Sequence, residues 1–89
     1  MIVGVRKVEV TRTPTGLDVS VTPSAPYAQI LVEEYLRERF GWWPVARARL
    51  DYVSDAEIRV RRRPARVRVV LVDRDGWTPI ATSREITLR

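Results

Sequence analysis

Six guanidinium groups fall within ten residues of this chain: Arg59, Arg61, Arg62, Arg63, Arg66 and Arg68. Arginine keeps its charge at any physiological pH, and its planar fork donates paired hydrogen bonds that match the oxygens of a phosphate or a carboxylate. In extended backbone, side chains two residues apart share a face. Arg59, Arg61 and Arg63 would then line one face of a strand, and Arg66 with Arg68 a face of the next, ~5–10 Å away if the strands pair. Arg47 and Arg49 have the same spacing and would extend the row. Like charges held so close repel one another, which favours a multivalent anion as partner. Nucleic acid is the first expectation, RNA before DNA, and an acidic protein surface the second. The competing interpretation is a solvated basic face, partly neutralised by Asp51, Asp55, Glu57 and Asp73.

Three tryptophans accompany the arginines. Trp42 and Trp43 are adjacent and cannot easily share one environment, so one is expected in the core and the other at a rim. Trp77 follows the Asp75-Gly76 pair. Exposed, these rings would stack on unpaired bases or anchor a protein interface; buried, they would fill the core of a small domain with a single phenylalanine.

Other chemistry is sparse. Neither histidine nor cysteine occurs, which removes the commonest neutral-pH base, thiolate nucleophiles, disulfides and cysteine-type zinc sites. The carboxylates Asp18, Asp51, Asp55, Asp73 and Asp75 belong to no acid/base or metal motif. Asp73-Arg74-Asp75-Gly76 begins like a calcium loop, but its twelfth position is Arg84 rather than glutamate, and a hairpin turn is the expected structure. Neither a GxxxxGK[ST] loop nor GxGxxG is present. No catalytic residue, metal or cofactor is therefore expected, and the chain is read as binding rather than catalysing.

The whole composition agrees with a basic binding domain. Eighty-nine residues make one domain with a thin core. The net charge is +5 and the isoelectric point about 10.7, an electrostatic reason to consider nucleic acid. No apolar run approaches the ~20 residues that cross a bilayer, and no basic-then-apolar leader opens the chain, so a cytoplasmic protein is expected. Asparagine is absent and Gln29 is the only glutamine, a composition that heat adaptation produces, as does a GC-rich genome through its preference for arginine.

The elements that must position these groups follow from periodicity. Residues 2–12 and 17–22 alternate apolar and polar around Pro14-Thr15-Gly16, the pattern of a half-buried hairpin with Gly16 free to take positive φ. Ser24 suits a helix N-cap, and Ala28, Leu31, Val32, Tyr35, Leu36 and Phe40 recur at helical spacing, which predicts a helix to about Phe40 closed by Gly41. Strands are expected over 45–53, 57–62, 65–73 and 77–88, with breaks at Pro64 and Pro79. The fold class that results is α+β: a single helix packed on an antiparallel sheet, ββα followed by three or four strands. The functional expectation is a small basic RNA-binding protein, such as a peripheral ribosomal or other ribonucleoprotein component. The alternative is a non-enzymatic accessory subunit of a protein assembly, including a homo-oligomer.

Overall fold

Alternation fixes the first hairpin. In the computed structural model, which describes residues 6–60 and 64–88, β1 (Lys7–Arg12) pairs antiparallel with β2 (Gly16–Thr22). Val8 lies across from Val21 and Val10 from Val19, all buried with Leu17, while Lys7, Glu9 and Asp18 face away. Gly16 serves the turn by close approach and not by positive φ. A Cβ there would stand 1.8 Å from the Ile58 carbonyl oxygen, and Gly76 is the only described glycine with positive φ, at 78°.

The remaining strands are β3 (Gln29–Leu36), β4 (Gly41–Arg49), β5 (Asp55–Arg59), β6 (Ala65–Val72), β7 (Pro79–Thr82) and β8 (Ile86–Leu88). They form two antiparallel sheets. Sheet A runs β1-β2-β5; sheet B runs β4-β3-β6, with β7 and β8 both on the far side of β6. β7 pairs with Val70–Val72 and β8 with Ala65–Val67, so they are two halves of one broken edge. Ser83 fills the break: its backbone N–H donates to the Val69 carbonyl (2.8 Å), its hydroxyl accepts from the Val69 N–H (2.8 Å), and it donates onward to the Arg84 carbonyl (2.9 Å). The core lies between the sheets. Val8, Val10, Leu17, Val19, Val21 and Ile58 of sheet A meet Ile30, Val32, Val67, Val69, Leu71, Ile86 and Leu88 of sheet B, and Leu50 enters from the loop after β4.

The α+β expectation is overturned. No α-helix occurs among the described residues, and the architecture is a two-sheet β-sandwich. The segment expected to be helical supplies β3, the centre of sheet B, and a single 3-10 turn, Arg37–Arg39. Two physical reasons account for this. Tyr27 adopts left-handed backbone, φ 61°, which breaks any helix begun at Pro26. Ile30, Leu31 and Val32 are all buried, because β3 is flanked by β4 and β6 and covered on both faces. A strand buried on both faces reads as a continuous apolar run and loses the period-2 signal. Pairing with the valine-rich β6, distant in sequence, then outweighs local helical spacing. Gly41 accordingly begins β4, and the left-handed residue at this bend is Phe40, φ 55°.

Candidate functional site

Register gathers the chemistry on the outer face of sheet B. On β3, Gln29, Leu31, Glu33 and Tyr35 point outward; their partners on β4 are Arg49, Arg47, Pro44 and Trp42, with Val45 as the extra residue at an irregularity in the ladder. On β6 the partners of Gln29, Leu31 and Glu33 are Val72, Val70 and Arg68, and Arg66 follows two residues away. Four of the singled-out arginines, Arg47, Arg49, Arg66 and Arg68, thus share one face.

Three of them are held against rings. The Arg68 guanidinium lies 4.5 Å from the Trp42 ring centroid; Arg66 lies 4.8 Å from Tyr35 and 5.7 Å from Trp42. Tyr35 and Trp42 meet edge to face, centroids 5.6 Å apart. At the other end of the face Arg47 stacks on Trp77 at 5.0 Å, donates to the Gln29 side-chain oxygen at 2.7 Å, and lies so close to Gly76 that a Cβ there would stand 2.6 Å from it. Each stacking contributes about 0.5–1 kcal/mol at an exposed site, more where water is excluded. Carboxylates complete the frame. Arg68 donates to Glu33 at 2.7 Å and Arg66 to Glu85 at 2.8 Å. Between the two stacks, Leu31, Val70 and Val72 are buried although they lie on the outer side of the sheet. Arg47, which carries the Trp77 ring, stands in register with Leu31 on the neighbouring strand.

Trp77 is aimed by its turn. Asp75 accepts from the backbone N–H groups of Trp77 and Thr78, both at 2.8 Å, and from the Thr78 hydroxyl. These bonds, the Thr78 hydroxyl first, hold the Asp75 carboxyl below the usual carboxylate range. Asp73 likewise accepts from the Arg74 N–H at 2.7 Å. No group of three or more metal-ligating side chains occurs among the described residues. Asp51 is used structurally as well, capping the N–H groups of Val53 and Asp55, both at 2.9 Å.

Not every expected site residue joins the face. Arg59 sits on β5 in sheet A, opposite Gly16, where it borders a cleft with Glu34, Val45 and Val60. Arg59 therefore stands on a different sheet from Arg66 and Arg68: β5 and β6 belong to different sheets and do not pair. Arg61, Arg62 and Arg63 lie outside the described residues. Neither member of the tryptophan pair is a core residue. Trp42 is half-buried on the outer face, and Trp43 is 41% exposed beneath the Arg39 guanidinium at 5.2 Å. Trp77 is 65% exposed. The sequence reading missed Tyr35, which it placed in a helix, along with the carboxylate partners Glu33 and Glu85. The outward period-2 set of Leu31, Glu33 and Tyr35 was the available signal, but the equally apolar inward set hid it.

The two ends of the sandwich differ. At the end where Gln29, Arg49 and Val72 stand in register, the loops 23–28, 50–54 and 73–78 adjoin. Buried Ser54 ties the first two together, accepting from the Ala25 N–H at 2.6 Å and bonding Ser24 at 2.9 Å. This end exposes Tyr27, Tyr52, Val53 and Trp77. The opposite end carries the β3–β4 hairpin tip. No helix among the described residues is long and apolar enough to cross a membrane. No family model, curated protein or solved structure matches the chain.

Proposed function

We propose that this chain is a non-enzymatic binding module that holds the phosphate backbone of nucleic acid, RNA before DNA, on the outer face of sheet B. The observation that carries this reading is the placement of Arg47, Arg49, Arg66 and Arg68 on one sheet face, three of them braced on aromatic rings. A braced guanidinium has lost much of its freedom before a ligand arrives, and its free N–H edges still donate to phosphate. The rings under the guanidinium groups are already occupied, so this face contacts backbone and does not read bases. Peripheral membership of a cytoplasmic ribonucleoprotein particle fits such sequence-independent contact. Four phosphates neutralised on a single strand give a log–log salt dependence with a slope near −3. Fluorescence anisotropy with a single-stranded oligoribonucleotide across a salt series tests this. Arg47→Gln, Arg66→Gln and Arg68→Gln together should flatten the slope by about two units; an unchanged slope, or no binding at low salt, sinks the reading.

A second reading, an accessory subunit of a protein assembly, draws on two observations. Glu33 and Glu85 neutralise Arg68 and Arg66 within the chain. Exposed Tyr27, Tyr52 and Trp77 share one loop end, and such aromatic side chains are what protein interfaces enrich. Light scattering distinguishes the two: a salt-resistant oligomer free of nucleic acid favours this one.

A further inference from the structure

We propose that the tip of the β3–β4 hairpin is a base-stacking point, where the Phe40 ring takes one unpaired base of a single strand and Arg37 and Arg39 meet the flanking phosphates. The inference rests on the nucleic-acid reading above and gives it a contact that the sheet face lacks. Phe40 is the only phenylalanine of the chain and is 91% exposed. Its backbone is left-handed, φ 55°, closing a 3-10 turn through its N–H to the Arg37 carbonyl at 3.2 Å. A bulky residue is unfavourable there, and a glycine would relieve the strain. The ring gains no packing in return. Strain retained under a ring that is almost wholly exposed points outward, to a ligand.

Its neighbours sharpen the choice of ligand. At this end of sheet B, Tyr35 and Trp42 contact each other and lie under Arg66 and Arg68, while Trp43 lies under Arg39. Of these four aromatics Phe40 alone has both ring faces open. A base stacks on such a ring whatever its identity, because every base has a π-face. Arg37 and Arg39 are exposed in the turn that leads into Phe40 and Glu38 lies between them, so Arg37–Arg39 carries one net positive charge. Tyr35 and Trp42 sit at the base of the same hairpin, which makes the tip continuous with the arginine face. A strand tracking that face would arrive at Phe40.

The test uses a uridine-rich 12-nucleotide RNA carrying one 2-aminopurine, with the full chain. Phe40→Ala should weaken binding about 5- to 150-fold, the loss of one stacked base, and abolish quenching of the 2-aminopurine. It should leave the salt slope unchanged, since no charge is removed, and Phe40→Trp should restore both affinity and quenching. Binding by Phe40→Ala within twofold of the parent, with the salt slope intact, overturns the inference and spares the reading of the face. A parent chain that does not bind RNA overturns both. Cosedimentation of that parent with anionic phospholipid vesicles, lost in Phe40→Ala, would assign the tip to a membrane surface instead.

Discussion

Arg68 does two jobs at once, and no other residue type could do both. Its flat guanidinium covers the Trp42 ring while its Nε donates to Glu33, whose side chain is only 16% exposed. Arg68→Ala would uncover the ring and leave that carboxylate without its cation. A loss of about 1–3 kcal/mol in urea denaturation is expected, with Arg68→Lys recovering only part because an ammonium cannot stack flat and fork together. Asp75 sets a pH dependence. Its carboxyl is held below its ordinary value by Thr78 and the Trp77 N–H. A depressed folded-state pKa stabilises the turn fully above the unfolded value and loses that contribution as pH falls through the folded one. Asp75→Ala should therefore melt below the parent at neutral pH, with the gap closing as pH drops below about 4. A gap that stays constant to pH 2 would contradict this account. The arginines and tryptophans were visible in the sequence as the chain's chemistry. Their mutual stacking was not, because Trp42 and Arg68, or Trp77 and Arg47, are far apart along the chain and meet only once the sheet is assembled.

At the scale of elements, two bends carry opposite demands. Gly16 lets β2 and β5 approach, and Gly16→Ala would drive a methyl into the Ile58 carbonyl. About 3 kcal/mol or more should be lost, measurable as a large fall in Tm. Phe40 is the reverse case: Phe40→Gly would place the tolerant residue at φ 55° and should raise stability by about 0.5–1 kcal/mol while removing the stacking ring. Stability gained and binding lost in one substitution would mark a position kept for function. The β1–β2 hairpin was legible because one face is buried and the other wet, so alternation survives. β3 was illegible for the opposite reason. Its two covered faces erase alternation, and the apolar positions that remain also fit a helix.

At the scale of the molecule, charge is unevenly divided between the two sheets among the described residues. On the outer face of sheet A, Glu9, Asp18, Asp55 and Glu57 outnumber Lys7 and Arg59, and Asp18 stands directly opposite Glu57. The outer face of sheet B carries the four arginines, two of them paired with Glu33 and Glu85. A polyanion would be drawn to the second face more than to the first, which would orient the chain as it approaches. Like charges directly opposed also destabilise a sheet, so Asp18→Lys should raise stability by about 0.2–1 kcal/mol at low salt, with the gain shrinking in 1 M salt. The sequence by itself determined the chain's charge, the lack of histidine and cysteine, the first hairpin and the turn at Asp75-Gly76, because these depend on residue type or on neighbours a few positions apart. Only the tertiary structure decided that Gln29–Leu36 is a strand, that Arg59 stands on a different sheet from Arg66 and Arg68, and that Arg47, Trp42 and Trp77 belong to one face. Those outcomes depend on which strands pair, and pairing is set by burial of apolar surface between residues distant in sequence.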